Sequence, residues 1–288
     1  MHVTKPSRLL LVGSTGRVGR MITRCWQLNP PSGAKVTEQH RNSDRSEGLF
    51  WPLLSTDAKG LPKDTYDAII CLAGVTPGLG ADLALNTTLA EATLRSAKLA
   101  NIPRVLIASS SAVYGSGDGT PFCETSTTTP ANSYGAAKLD MENACATWRN
   151  QGIEICCLRI GNVAGADALL LNVARSEHNQ PLVIDRFADG RGPVRSYIGP
   201  RTLSDVLLTL ATTPLALPNI LNVAAPGSVT MEELARAAGH PFDFKNAHQT
   251  AQQTITLDCS RLAELHDFST DAAEPMELVT QWKDTLPK

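Results

Sequence analysis

A short apolar run, Arg8–Val12, ends in the seven residues Gly13-Ser-Thr-Gly16-Arg-Val-Gly19 and passes directly into a helical pattern that lasts to Leu28. No other stretch constrains the fold as strongly. Glycines at such a junction let the backbone turn at once and approach a ligand closely, and they leave the free N–H groups of the helix's first turn facing an anion. A GxxGxxG spacing alone is a weak signal. Between a first strand and a first helix it becomes the phosphate loop of a dinucleotide-binding fold. Gly13, Thr15, Gly16, Arg17, Val18 and Gly19 are therefore candidate cofactor contacts.

The pattern that follows supports the same architecture. Strand-like runs at Ala34–Gln39, Asp67–Ala73, Arg104–Ser109 and Ile153–Ile160 alternate with helical patterns at Leu83–Ala100 and Ser133–Arg149. Such alternation demands a parallel sheet covered on both faces by helices. After Gly165 it weakens: Leu169–Ser176 reads as helix, Leu182–Phe187 as strand, and Ala188–Pro200, rich in Gly, Pro and Arg, as a binding loop. It resumes with a helix at Leu203–Ala211, a strand at Ile220–Ala224 and a helix opened by the capping-box pattern Thr230-Met-Glu-Glu233. The expected fold class is α/β: a doubly wound parallel sheet over residues 1–165, rejoined by 200–225, with a smaller C-terminal substrate lobe from 166–199 and 226–288.

Charge and cysteine content narrow the partners. The chain of 288 residues has a formal net charge of -2, so no basic field invites nucleic acid. Its 7 cysteines are scattered and lack CxxC spacing, as in a reduced compartment. Gly13 and Gly16 interrupt the apolar run behind Lys5 and Arg8, and nothing approaches the about 18 to 20 apolar residues of a membrane span. A soluble cytoplasmic protein acting on a small molecule is expected, with a homodimer as one possible assembly. No histidine or carboxylate spacing suggests a metal.

Residues 107–138 carry the chemistry. Three serines, Ser109, Ser110 and Ser111, end a strand, and Tyr134 stands four residues before Lys138 in a helical pattern. Residues four apart share a helix face, so the phenol and the ammonium can meet at one point. A phenol with pKa about 10 is a poor acid or base at neutral pH, and a neighbouring ammonium brings it toward the working range. The serines lie on the carboxyl edge of the sheet, the same edge as the glycine loop, so the two halves define one site.

GSTGRVG, LAG at 72–74, Asn86, SSSAVYG at 109–115, PANSYGAAK at 130–138 and LRIGN at 158–162 together resemble the extended short-chain dehydrogenase/reductase family. Within it the chain is most similar to the NAD(P)-dependent epimerase/dehydratase group. The resemblance implies that Tyr134 is the acid/base, that Ser110 holds the substrate oxygen with Ser111 beside it, and that Lys138 tunes Tyr134 and binds the nicotinamide ribose. It also implies that Leu72, Ala73 and Gly74 run along the cofactor, that Asn162 lies near substrate phosphates and that Arg195 clamps a nucleotide-sugar diphosphate. The family commonly has Asp where His40 stands. His40 and Arg41 at the end of the second strand favour NADP over NAD. Arg159, at another strand end, reads as a structural ion-pair partner.

Two functions follow. One is an oxidoreductase or epimerase acting on a carbinol or ketone carbon, of a nucleotide sugar among other candidates. The other is a non-catalytic NADP(H)-binding sensor or structural subunit.

Overall fold

The computed structural model describes residues 5–43, 45–55, 60–175 and 180–287. Seven parallel strands form its central sheet: β1 (Ser7–Val12), β2 (Ala34–His40), β3 (Leu49–Phe50), β4 (Ala68–Cys71), β5 (Arg104–Ser110), β6 (Glu154–Ile160) and β11 (Ile220–Val223). Their order across the sheet is β11-β6-β5-β4-β1-β2-β3. It reverses direction beside β1, and that reversal opens the crevice where doubly wound folds bind ligands.

Helices cover both faces because the strands are apolar on both. Leu9 and Leu11 point to one side, where Ile22 and Trp26 of α1 (Arg17–Leu28) pack with Leu203, Val206 and Leu210 of α5 (Pro200–Thr212). Leu10 and Val12 point to the other, toward Ala90 and Leu94 of α2 (Leu85–Leu99) and Met141 and Cys145 of α3 (Ser133–Ala146). Burial on both faces explains the continuous apolar runs that mark β4 and β6 in the sequence.

The remaining elements build a third cluster. In it, Leu170 of α4 (Ala168–Arg175), Leu234 of α6 (Met231–Ala238), and Leu278 and Trp282 of α8 (Pro275–Asp284) share one core. The short helix α7 (Ser260–Ala263) contributes Leu262 to the first core. The capping box of α6 forms in full, with the Thr230 hydroxyl accepting from Glu233 N and the Glu233 carboxylate accepting from Thr230 N.

The stretch read as a binding loop, 188–200, carries two short strands. β9 (Val194–Arg195) lies between β12 (Val229–Thr230) and β14 (Thr254–Ile255), and β10 (Tyr197–Ile198) pairs with β7 (Asn162–Val163). Each partner is at least thirty residues away in the chain, so no local pattern signals the pairing. β8 (Leu182–Arg186) likewise pairs in parallel with β13 (Phe242–Asn246). Among the described residues no helix is long and apolar enough to cross a membrane.

Candidate active site

The glycine loop is as tight as its sequence demands. A Cβ on Gly19 would lie 2.1 Å from Gly13 O, and one on Gly13 would lie 2.5 Å from Ala73 N. Gly13 also has a φ of +85°, which L-residues avoid. The turn is thus pressed onto the end of β4. Helix α1 begins with no side-chain cap and no acid in its first turn. An uncapped N-terminus behind a glycine turn could hold a dinucleotide pyrophosphate, and Thr15, Gly16, Arg17 and Val18 are the residues at that turn. Arg17 also reaches across to Ala166 O at 3.2 Å, and Arg20 donates to Thr15 O.

Beside this loop runs a groove of about 580 Å³ lined by Ser14, Thr15, Arg20, Arg24, Glu38 and Arg45 among others. Arg45 stands 3.5 Å from the Glu38 carboxylate. His40 and Arg41 are not brought there, contrary to the sequence reading. β3 pairs Phe50 with His40, and the imidazole, 2 % exposed, lies beneath that pairing with both ring nitrogens unpartnered. Arg41 points to solvent. The residue that reaches the loop is Gln39, whose side-chain oxygen accepts from Gly13 N at 3.1 Å while its amide donates to Trp51 O at 2.6 Å. The Gln39 carbonyl takes the Ser14 hydroxyl at 2.7 Å. Strand alternation, which sets Gln39 on the opposite face from its neighbour His40, was the signal that could have found it.

The segment after β4 links the loop to Lys138. Leu72 N pairs with Val12 O at 2.8 Å, and Ala73 abuts Gly13. A Cβ on Gly74 would lie 2.8 Å from Asn86 Oδ1 and 3.2 Å from Lys138 Nζ. Asn86, 1 % exposed, holds the next residue by accepting from Val75 N at 3.1 Å and donating to Val75 O at 3.0 Å.

Ser110, Tyr134 and Lys138 come together where β5 meets α3. Ser110 caps a short 3-10 turn, Ser111–Val113, its hydroxyl accepting from Ala112 N at 3.2 Å. Asn132 caps α3 by accepting from Gly135 N at 2.9 Å. Gly135 lets the two elements touch, because a Cβ there would lie 2.3 Å from Ala112 O. This brings Ser110 beside the Tyr134 phenol. Burial pushes the phenol above its usual pKa, and the neighbouring Ser110 hydroxyl opposes that rise. The expected lowering of Tyr134 by Lys138 is not present. The Lys138 ammonium lies 6.0 Å from the Tyr134 ring centre and donates to Ala108 O at 2.9 Å. Lys138 itself is pushed down by burial, against the electrostatic pull of Cys71, Cys157, Cys145 and Glu142.

Asn162 and Arg195 sit away from this trio, on the small sheets. Both lie beside the buried Tyr197, and each opposes the rise that burial imposes on its phenol. The Arg195 guanidinium donates to Val194 O at 2.7 Å, Gln253 O at 2.6 Å and Gln252 O at 3.1 Å, and burial lowers its pKa. Its contacts are carbonyls rather than carboxylates, which leaves its charge available to an anion. Arg159 is a structural ion-pair partner as read from sequence, bound to Glu142 at 2.7 Å with both side chains buried.

The loop between the serines and Tyr134 is closed at its base by a Gly115–Thr129 bridge. Its middle docks on the C-terminal part of the chain: Phe122 bridges Leu257 and stacks on Tyr114 with ring centres 4.7 Å apart. Asn222 accepts the Tyr114 hydroxyl at 2.6 Å and donates to Phe122 O at 2.8 Å. Among the described residues no group of three or more His, Cys, Asp or Glu could hold a metal.

The model of the NAD dependent epimerase/dehydratase family matches residues 9–204. The UDP-glucose 4-epimerase of Azospirillum brasilense is 40% identical over 176 residues, 56% of this chain and 50% of that protein, so the match spans about half of that relative. Among solved structures, the UDP-glucuronic acid 4-epimerase of Bacillus cereus superposes with a TM-score of 0.76 at 18% identity, covering 96% of this chain and 98% of that one. The UDP-N-acetylglucosamine 4-epimerase of Methanobrevibacter ruminantium gives 0.75 at 18%, covering 98% and 100%. At such identities the superpositions speak for the fold.

Proposed function

We propose, from the premise that this chain belongs to the NAD dependent epimerase/dehydratase family, that it oxidises and reduces a carbinol carbon of a nucleotide sugar. A bound nicotinamide supplies the hydride acceptor and donor. Tyr134 exchanges the proton of the substrate hydroxyl, and Ser110 holds that oxygen within reach. Lys138, held by Ala108 O at 2.9 Å, steadies the nicotinamide ribose. The observation that carries this reading is the contiguity of the parts: Gly13 abuts Ala73, Gly74 abuts Lys138, and Tyr134 on the same helix stands beside Ser110.

Segments 166–199 and 226–288 hold the substrate, with Asn162 and Arg195 receiving its phosphates. Support comes from Arg195, a half-buried cation whose guanidinium donates to the carbonyls of Val194, Gln252 and Gln253. Ser111 and Ala112, which follow Ser110, bring no carboxyl group to the strand end. Eliminating water needs a further acid or base, so this favours an epimerase or dehydrogenase over a dehydratase.

For the cofactor we favour NADP. Bacillus cereus UDP-glucuronic acid 4-epimerase is described in complex with NAD. In this chain, however, three guanidiniums line the groove at the loop against one carboxylate, and the strand-end residue at Gly13 is the neutral Gln39. A 2′-phosphate is a suitable partner for such a set.

Native mass spectrometry of the purified protein tests the cofactor, since retained NAD(H) would sink the NADP reading. Turnover of UDP-galactose and UDP-glucuronic acid tests the chemistry. Tyr134→Phe should lower it by about 100- to 10,000-fold while leaving dinucleotide binding intact. A Tyr134→Phe enzyme as fast as wild type refutes the assignment.

A further inference from the structure

Directly behind the catalytic residues lies a buried polar cluster that the steps above do not use. Ser109 and Arg159 are register partners on β5 and β6. Both reach the same carboxylate, Glu142 of α3: the Ser109 hydroxyl donates to Oε1 at 2.5 Å, and Arg159 donates through Nε at 3.1 Å and through Nη2 at 2.7 Å. Ser109 and Arg159 are each 5 % exposed and Glu142 4 %. Glu142 stands one helical turn beyond Lys138 and two beyond Tyr134, on the same face of α3.

A buried ion pair adds little stability, because an apolar pair of similar volume does as well, but it does fix one geometry. We propose, building on the site reading above, that Glu142 is a positioning residue, its carboxylate pinning the Tyr134- and Lys138-bearing face of α3 to the carboxyl ends of β5 and β6. The pin reaches Ser110 through its chain neighbour Ser109, and it reaches Lys138 through one turn of helix. The groups around Lys138 give Glu142 a second influence. They are the thiols of Cys71 on β4, Cys157 on β6 and Cys145 on α3, the Met141 sulfur, the Ala108 carbonyl, and Glu142 as the single carboxylate among them. Its charge favours the ammonium form that burial disfavours.

Two variants separate positioning from folding. Glu142→Gln keeps the shape and a hydrogen bond to Ser109, and Glu142→Met with Arg159→Met replaces the pair by apolar volume without stranding a charge. NADH and NADPH binding is measured beside that of their adenosine halves, 5′-AMP and 2′,5′-ADP, which do not extend to Lys138. Variants with wild-type far-ultraviolet circular dichroism should bind the adenosine halves as wild type does. They should bind the preferred dinucleotide about fivefold or more weakly, a loss that disappears when Lys138 is already Met. Unchanged dinucleotide affinity in a folded variant overturns the proposal, as does an equal loss for the halves or a loss that persists in the Lys138→Met background. Failure of wild type to bind either dinucleotide overturns both this inference and the function it rests on. Full turnover by Tyr134→Phe removes only the catalytic assignment.

Discussion

Replacing Gly135 by Ala is the sharpest probe of how the site is assembled. The added Cβ would lie 2.3 Å from Ala112 O, where ordinary contact begins at 3.4 Å, so helix and turn must part by about 1.1 Å. The obstacle is a backbone carbonyl, which cannot swing aside as a side chain can. Alanine returns up to about 1 kcal/mol as a better helix former, while forcing an extra carbon into a packed contact costs about 1 to 3 kcal/mol. The loss wins in all but the mildest case. Taken at about 2 to 4 °C per kcal/mol for a chain of this size, the melting temperature should fall by a few degrees. Turnover should suffer more, since Ser110 and Tyr134 lie on the two parts being separated and a displacement of about 1 Å can cost about 100-fold. Calorimetry, UDP-galactose turnover and 2′,5′-ADP binding together make the assay, the last serving as a control because the glycine loop is untouched. A Gly135→Ala protein with wild-type melting and turnover would refute the claim that this contact sets the approach of Ser110 to Tyr134.

Three further outcomes follow from side chains already placed. Lys138 releases its proton at lower pH in the folded chain than in the unfolded one, because burial depresses its pKa. Between the two pKa values the unfolded chain holds more protons, so stability rises with pH there, and below that window the buried ammonium subtracts from it. Lys138→Met should therefore melt higher than wild type at neutral pH while losing turnover, and a lower melting temperature would count against the desolvation argument. Hydrogen bonds from Ser126 and Thr125 bring the Cys123 thiol down to about 7, whereas burial lifts Cys25 to about 11 and Cys259 to about 12. Iodoacetamide at neutral pH should label Cys123 first, with a rate that rises around pH 7, and labelling of a buried thiol ahead of it would contradict the assignment. Asn222→Leu strands the Tyr114 hydroxyl and Phe122 O, so it should cost about 2 to 4 kcal/mol and expose the 115–129 loop to limited proteolysis.

The sheet and its helices were legible because each leaves a local mark. The apolar run of β1, the glycines after it and the helical spacing through Leu28 are neighbours in the chain, and the YxxxK pair needs only one turn of helix to meet. What the sequence concealed lies in contacts between distant segments. His40 occupies the expected strand end, but β3, a strand of two residues, covers it and leaves Gln39 to meet Gly13. The carbonyls around Arg195 come from Gln252 and Gln253, 57 and 58 residues away. The short strands β9 and β10 likewise owe their form to partners elsewhere. The direction of the Tyr134 shift was concealed for a related reason: pairing with Lys138 can be read from spacing, but burial depends on everything packed around the phenol.

The docking of the 115–129 loop on Asn222 and Leu257 also bears on when a newly made chain becomes competent. Ser110, Tyr134 and Lys138 are made well before Leu257, and the helix that carries Tyr134 and Lys138 can form from local contacts. The loop joining them has no platform until the segment around Leu257 has been made, more than a hundred residues later. Pairing over so long a separation is slow and comes late in folding. A nascent chain would thus carry Ser110, Tyr134 and Lys138 with the loop between them undocked until residue 257 has been added, and the finished site would be among the last features to form.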